Sequence, residues 1–234
     1  MRFASTVLTA IILTATAQSQ TFTINYSSAS LSGTPALLPV TASTAPAPLT
    51  ASSVTRSSDL VAQPVGTTPT FNSSNFPTVS TVSSGVRYLT VTLNPNGGVL
   101  DMNSVTVLVN RDTRGPKDVF LRSSLDLFAA NLASLTNLSP NSTGTALTVT
   151  GLSGAFDTIT TPIEFRVYGV NATDSTGLLG VLDTGAAQSA VTITGGFTPV
   201  PEPAAVGLLA AAGLGLVGLY RKRVGLSLLQ REKP

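Results

Sequence analysis

Ile163-Glu164-Phe165-Arg166-Val167-Tyr168 is the stretch that decides the fold. Its apolar and charged residues alternate, and a period of two places them on opposite faces of a β-strand. We therefore predict a strand over Pro162–Val170, with Phe165 and Val167 in the core and the two charged residues towards solvent. A strand with one polar face is typical of an antiparallel sheet that is buried on one side only.

A second strand of the same kind precedes it at Val86–Leu93 and ends in Asn94-Pro95-Asn96-Gly97-Gly98, a strong turn sequence. Five further strands are predicted at Thr21–Tyr26, Ser104–Val109, Asp118–Ser123, Thr145–Thr150 and Ala190–Thr194. The segments Asn94–Asn103 and Asn110–Lys117 are predicted to be connections between strands. Many short strands separated by Gly, Asn and Pro turns indicate an all-β fold, an antiparallel β-sandwich over residues 18–196.

Two segments depart from this regular series. Leu125, Phe128, Leu132 and Leu135 recur at helical spacing, which predicts a short helix or wound loop. Residues 27–84 are rich in Ser, Thr, Ala and Pro, a composition that favours a partly disordered spacer. The apolar pairs Leu37-Leu38 and Leu60-Val61 inside it indicate that it also visits strands.

The N-terminus has the pattern of an export signal. Met1-Arg2-Phe3 is a short cationic segment, and Ala4–Thr14 is apolar apart from small hydroxyl residues. Ala15 and Ala17 supply the small-x-small pattern at which signal peptidase cuts. We predict a signal peptide over residues 1–17 and cleavage before Gln18.

The other end of the chain combines three features in a fixed order: Val200-Pro201-Glu202-Pro203, then the uncharged segment Ala204–Tyr220, then Arg221-Lys222-Arg223. As a helix, the uncharged segment would be roughly 26 Å long, just short of the ~30 Å hydrocarbon core of a bilayer. The cationic cluster marks the cytoplasmic side. We predict one transmembrane helix over residues 204–220 and a cytoplasmic tail over 224–234.

Pro-Glu-Pro, an apolar helix and a basic cluster together resemble the PEP-CTERM protein-sorting signal of Gram-negative bacteria. That signal is also found on some ice-binding proteins. The resemblance covers residues 200–223 and implies recognition by exosortase, a membrane-embedded cysteine protease. It further implies that the chain is held in the inner membrane by its helix before processing and then reaches the cell surface or the extracellular matrix.

The middle of the chain resembles a second, looser group. The segments Phe71–Phe76, Val119–Ala129 and Pro162–Gly169 are similar to motifs of many PEP-CTERM ectodomains. Those ectodomains look like jelly-roll or concanavalin-like sandwiches, so the resemblance implies a jelly-roll-like fold that includes the Ser/Thr-rich part. In that group an aspartate-bearing strand precedes the last strand, and Leu182-Asp183-Thr184 is its candidate remnant here.

Composition removes several classes of function. The chain has no cysteine, no histidine and no tryptophan, so disulfides, Ser-His-Asp and Cys-His catalysis and the usual zinc and copper ligands are excluded. Seven basic and nine acidic residues lie between Gln18 and Pro199, a net charge of −2. Nucleic-acid binding therefore has no electrostatic basis in the exported part, and no cofactor is expected.

Few residues suggest a site. Glu164 is the only glutamate of the exported part, and its i, i+2 spacing to Arg166 predicts a solvated ion pair rather than a catalytic acid. Asp101, Asp112 and Asp118 could supply oxygen ligands to Ca²⁺, but the basic residues among them favour an internally neutralised loop. Three threonine pairs, Thr90/Thr92, Thr148/Thr150 and Thr192/Thr194, each place two hydroxyls on one strand face. Such pairs could bind ice or sugar, although threonine is also common on the solvent face of sheets.

Taken together, these patterns predict an exported protein without enzymatic activity. Its expected role is structural or adhesive, at the cell surface or in the extracellular matrix and associated with exopolysaccharide. The alternative is a non-catalytic carbohydrate-binding module. The expected partners are signal peptidase, exosortase, the inner membrane and polysaccharide, and not nucleic acid.

Overall fold

The structure describes residues 18–200, except 67, 84 and 185–187. This part of the chain contains fourteen β-strands. The structure is a computed structural model. In chain order the strands are β1 (Gln20–Tyr26), β2 (Val40–Ser43), β3 (Thr50–Ala51), β4 (Thr55–Arg56), β5 (Val61–Ala62), β6 (Thr70–Ser74), β7 (Tyr88–Asn94), β8 (Gly98–Arg111), β9 (Asp118–Ser123), β10 (Ala133–Leu135), β11 (Thr145–Thr150), β12 (Ile163–Val170), β13 (Leu179–Leu182) and β14 (Val191–Pro199). Ser19–Pro199 forms one compact unit.

The strands form two antiparallel sheets. The first has the order β2-β1-β14-β8-β13-β6-β5. β14 and β13 pair with successive parts of one edge of β8, and β11 pairs with the opposite edge. The second has the order β10-β9-β12-β7-β3, with β4 also paired to β7. The all-β, antiparallel class predicted from the alternating sequence pattern is thus confirmed, in a sandwich-like arrangement.

The core lies between the two sheets. Phe165 and Val167 of β12 are 1% and 6% exposed, whereas Glu164 and Arg166 are half-buried on the opposite face, as predicted. A cavity of only ≈ 20 Å³ lies between the sheets. Its apolar lining comes from both, namely Val105, Val107, Val181 and Val191 of the first sheet and Leu89, Val91, Leu121, Phe165 and Val167 of the second. The interior is therefore closely packed.

Two strands are longer than the sequence predicted. β8 begins at Gly98, so most of the predicted connection Asn94–Asn103 is strand, and it continues to Arg111. Leu100 and Met102 are fully buried, and a register shift opposite Thr194/Gly195 separates them from the alternation that resumes at Val105. β14 extends to Pro199 instead of ending at Thr194, because Gly195 is needed for a close approach: a Cβ there would lie 2.4 Å from the carbonyl oxygen of Asp101.

The Ser/Thr/Pro-rich segment is folded wherever the structure describes it, which differs from the spacer that its composition favours. It contributes β2 to β6, and six of its apolar side chains are buried in the core: Leu38, Leu49, Val54, Leu60, Phe71 and Phe76. Well-spaced apolar residues are enough to hold a polar segment to a sandwich because each one fills a separate position in the core.

Arg56 on β4 links the first part of this segment to β6, the last strand of the segment. Its guanidinium donates to the hydroxyl of Ser73 at 2.7 Å, to the carbonyl oxygen of Asn72 at 2.7 Å and to that of Pro35 at 2.8 Å. The guanidinium also lies 3.6 Å from the centre of the Phe71 ring. Burial of this charge lowers the pKa of Arg56 to about 10.

The segment with helical spacing forms only a single 3-10 turn, Ser124–Asp126, followed by a loop and the short strand β10. Leu127 and Phe128 have positive φ angles of 58° and 61°, which end the turn at once. The expected helix or wound loop is therefore mostly loop.

Candidate functional site

The outer face of the first sheet carries two rows of short polar side chains. One row crosses four strands as Thr148 on β11, Thr106 on β8, Thr192 on β14 and Asn25 on β1. The neighbouring row is formed in the same way by Thr150, Ser104, Thr194 and Thr23. We call these eight residues the hydroxyl face. None of them is charged, and all are at least partly exposed.

Hydrogen bonds between strands order the hydroxyl face. The hydroxyls of Ser104 and Thr194 lie 2.7 Å apart, and those of Thr106 and Thr148 lie 3.1 Å apart. The Thr192 hydroxyl donates to Oδ1 of Asn25 at 3.0 Å. Because a hydroxyl has one donor and two acceptor positions, these contacts leave hydrogen-bonding capacity towards solvent. Neighbouring groups are roughly 4.8 Å apart across strands and roughly 6.6 Å apart along them.

Two of the three predicted threonine pairs therefore meet on one surface, whereas the third does not. Thr90 and Thr92 lie on β7 of the second sheet. The Thr90 hydroxyl donates to Oε1 of Glu164 at 2.6 Å. Sequence spacing placed each pair on one face of its own strand, and the register between strands determined which pairs are neighbours.

Glu164 and Arg166 form an ion pair along β12 on the outer face of the second sheet. Nε of Arg166 lies 2.7 Å from Oε1 of Glu164, and Nη2 lies 3.2 Å from Oε2. Burial favours the neutral carboxyl, but the hydrogen bonds from Arg166 and Thr90 outweigh it and lower the pKa of Glu164. A glutamate held ionised in this way lacks the raised pKa of a general acid.

Aromatic rings complete this cluster, and the sequence did not indicate them. The Arg166 guanidinium lies 3.9 Å from the centre of the Tyr88 ring and 3.7 Å from that of Phe128. The Tyr88 and Tyr168 rings are 5.7 Å apart and tilted by 57°. The guanidinium stacks on Tyr88 and on Phe128, so it covers one face of each ring. A sugar ring cannot stack on a face that is already covered.

The aspartates proposed as calcium ligands lie apart and bond to the backbone. Oδ1 of Asp112 accepts from the N–H groups of Arg114, Gly115 and Leu178 at 3.0, 2.6 and 2.9 Å. Asp118 instead accepts from the N–H of Asn137 and from Nδ2 of Asn171. Within residues 18–200 as described, no group of three acidic side chains is placed to hold a metal ion.

Asp183 is hydrogen-bonded to neighbouring parts of the sandwich. Its carboxylate accepts from the hydroxyl of Ser27 and, at 2.9 Å, from the backbone N–H groups of Ser28 and Ala190. The N–H of Asp183 in turn donates to the Ser28 hydroxyl at 2.9 Å. These bonds join the end of β1 to the end of β13, so the candidate remnant aspartate connects strands.

The predicted processing residues lie almost wholly outside the described part. Val200 is its last residue and is 58% exposed. Ala15, Ala17, Pro201, Glu202, Pro203, Arg221, Lys222 and Arg223 fall outside it, as do the predicted helix 204–220 and the signal peptide 1–17. The described part holds no helix long and apolar enough to span a membrane.

Comparison with protein families finds the PEP-CTERM protein-sorting motif at residues 199–224. The matched segment begins at the last residue of β14, so the motif follows the sandwich without a linker. Comparison with curated proteins and with solved structures finds no match. The motif implies an exported protein that is processed at the membrane by exosortase. The sandwich-like all-β unit Ser19–Pro199 is thus followed directly by a PEP-CTERM sorting motif.

Proposed function

We propose that this chain is a structural or adhesive protein of the cell surface or extracellular matrix, associated with exopolysaccharide and without catalytic activity. The hydroxyl face is the observation that supports this role. It is uncharged, ordered by its own hydrogen bonds and spread over four strands. Each hydroxyl can add a weak hydrogen bond to a hydroxylated polymer, and many such bonds act together when one chain lies along the face.

The absence of catalysis is part of the proposal. Glu164 is the only glutamate among residues 18–200, and its carboxylate is held by Arg166 and Thr90. Its lowered pKa disfavours proton donation at neutral pH. A glycosidase would need a second carboxylate within roughly 5–10 Å across a cleft, and the outer-face neighbours of Glu164 on β7 and β9 are Thr92, Thr90 and Arg122.

The test is co-sedimentation of the 18–199 fragment with exopolysaccharide from the producing cells. The double variant Thr106→Val/Thr192→Val removes two hydroxyls from the centre of the face but keeps the β-branched shape that strands favour. At about 1 kcal/mol for each lost hydrogen bond, the affinity is expected to fall by at least tenfold.

Thr92→Val, on the second sheet, is the matched control and should bind as the wild type does. Equal binding by the double variant and the wild type would remove the hydroxyl face from the proposal. A non-catalytic carbohydrate-binding module remains the second candidate, because a polar cleft lies on the same sheet.

A further inference from the structure

The polar cleft lies at the end of the first sheet where β6, β13 and β8 are neighbours. Asn72, Gly180 and Asn110 form one row across these three strands. The cleft has a volume of ≈ 230 Å³. Its walls also include Asn141 and Ser142, which precede β11, and Gly66 and Thr68, which precede β6.

The missing side chain of Gly180 makes room between the two asparagines. A Cβ at this position would lie 2.3 Å from Oδ1 of Asn110 and 2.6 Å from Oδ1 of Asn72. Neither distance is compatible with a carbon atom, so both amide groups turn over the backbone of Gly180 only because it is glycine. The neighbouring strands thereby present two side-chain amides to one short stretch of cleft floor.

These amides are not fully used by the protein. Nδ2 of Asn72 donates to the carbonyl oxygen of Pro64 at 3.0 Å, and Nδ2 of Asn141 donates to the hydroxyl of Thr145 at 2.8 Å. Oδ1 of Asn110 and Oδ1 of Asn141 are buried without a hydrogen-bond partner in the described residues. A buried acceptor without a donor is unfavourable in a folded protein, so each such group calls for a physical explanation.

The Asn110 amide can present either of its two edges to a ligand. Rotation of the terminal amide by half a turn exchanges Oδ1 and Nδ2 at nearly constant shape. One orientation offers a donor to the cleft and the other an acceptor. Such a group suits a ligand whose own groups both donate and accept, and that is the property of an alcohol.

The two charged residues of the cleft carry opposite charges and are held by backbone groups, although the buried Nε of Arg111 has no hydrogen-bond partner among the described residues. The guanidinium of Arg111 donates to the carbonyl oxygens of Leu138 at 2.6 Å and Thr113 at 2.9 Å. The neighbouring Asp112 accepts three backbone N–H groups through Oδ1. A cation would meet the positive charge of Arg111 and an anion the negative charge of Asp112, so the cleft favours a neutral ligand.

From this combination of amides, hydroxyls and balanced charge we propose that the cleft binds one ring of a neutral saccharide, with Asn72, Asn110 and Asn141 hydrogen-bonding to its hydroxyls. The proposal rests on the proposed function in taking polysaccharide as the partner. It differs in the surface used: a sugar ring enters this cleft, whereas a polymer chain lies along the hydroxyl face.

The experiment is an NMR titration of the ¹⁵N-labelled 18–199 fragment, which contains all the described strands and the core between them. The probes are glucose, galactose, mannose and N-acetylglucosamine, each added separately. At least one of them is expected to shift the Asn72 and Asn110 side-chain amide signals and the Gly180 backbone signal in a saturable way. Asn110→Ala and Gly180→Ala should each weaken this binding by about tenfold, the first by removing the amide and the second by filling the floor.

Two matched variants separate the site from general effects. Asn103→Ala changes an exposed asparagine of the same strand, β8. Gly196→Ala adds a methyl group whose nearest neighbour would be 3.3 Å away. Both should bind like the wild type. If Gly180→Ala does not fold, the comparison of Asn110→Ala with Asn103→Ala still decides the result.

The proposal is overturned if no sugar shifts these signals, if calcium chloride or sodium phosphate alone shifts them, or if Asn103→Ala weakens binding as much as Asn110→Ala. Polysaccharide co-sedimentation distinguishes this failure from failure of the proposed function. Without a sugar response in the cleft, loss of co-sedimentation only in Thr106→Val/Thr192→Val would leave the hydroxyl face as the binding surface.

Discussion

Phe165 provides the sharpest test of the sandwich, because a second phenylalanine on the next strand faces the other way. Phe165 on β12 is 1% exposed and borders the small cavity between the sheets. Phe120 on β9 is half-buried on the outer face. Truncation of the two rings compares the two faces of one sheet with the same chemical change.

The cost of Phe165→Ala has two parts. Removing a fully buried ring loses about 2–3 kcal/mol of transfer free energy. If the cavity grows by roughly 80 Å³ after partial collapse, about 2 kcal/mol is added. The total is about 4–5 kcal/mol, which would lower Tm by roughly 8–20 °C for a unit of this size. Phe120→Ala should cost about 1–2 kcal/mol, since part of its ring is already in water.

The measurement is equilibrium unfolding of the 18–199 fragment in guanidinium chloride. Far-UV circular dichroism is the suitable signal because the chain has no tryptophan. Equal slopes of unfolding free energy against denaturant would show that only stability has changed. An equal or larger loss for Phe120→Ala would refute the assignment of faces to the second sheet.

Three further predictions follow from other residues. Hydrogen bonds lower the pKa of Glu164 in the folded state, so its stabilising effect is present above the unfolded pKa of about 4.3 and is lost as the pH falls through the folded pKa. The difference in urea midpoint between wild type and Glu164→Gln should therefore be larger at neutral than at strongly acidic pH. A difference that grows in acid would contradict this. Arg56→Ala should speed hydrogen exchange in residues 31–62 and leave the amides of β8 and β14 protected, because Arg56 connects residues 31–62 to β6. Uniform acceleration across the sandwich would show that Arg56 does not act on this segment alone. Glu202→Ala or Pro203→Ala should leave export intact and block maturation, which a gel would show as full-length protein that lacks only its signal peptide. If the wild-type chain keeps its tail in cells with active exosortase, the prediction that exosortase cuts this chain is wrong.

Local features of the molecule were accessible from the sequence. The alternation in Ile163–Tyr168 involves residues two apart, and its two faces depend only on strand geometry. The sorting motif is likewise a contiguous segment. The limits of β8 and β14 were predicted less well, because a glycine that ends a strand and a glycine that permits a close approach are the same letter in a sequence. Gly195 belongs to the second kind, and the crowding that requires it comes from Asp101, 94 residues earlier in the chain.

The two polar surfaces proposed for binding were decided by the tertiary structure. The sequence placed Thr148/Thr150 and Thr192/Thr194 in pairs, but only the pairing of β11 and β14 with β8 makes them one face. Nothing in the local sequence relates Asn72 to Asn110 or either of them to Gly180, which lies between them in space. Strand periodicity determines which side of a sheet a residue faces, whereas its neighbours depend on the register that burial of the shared core selects.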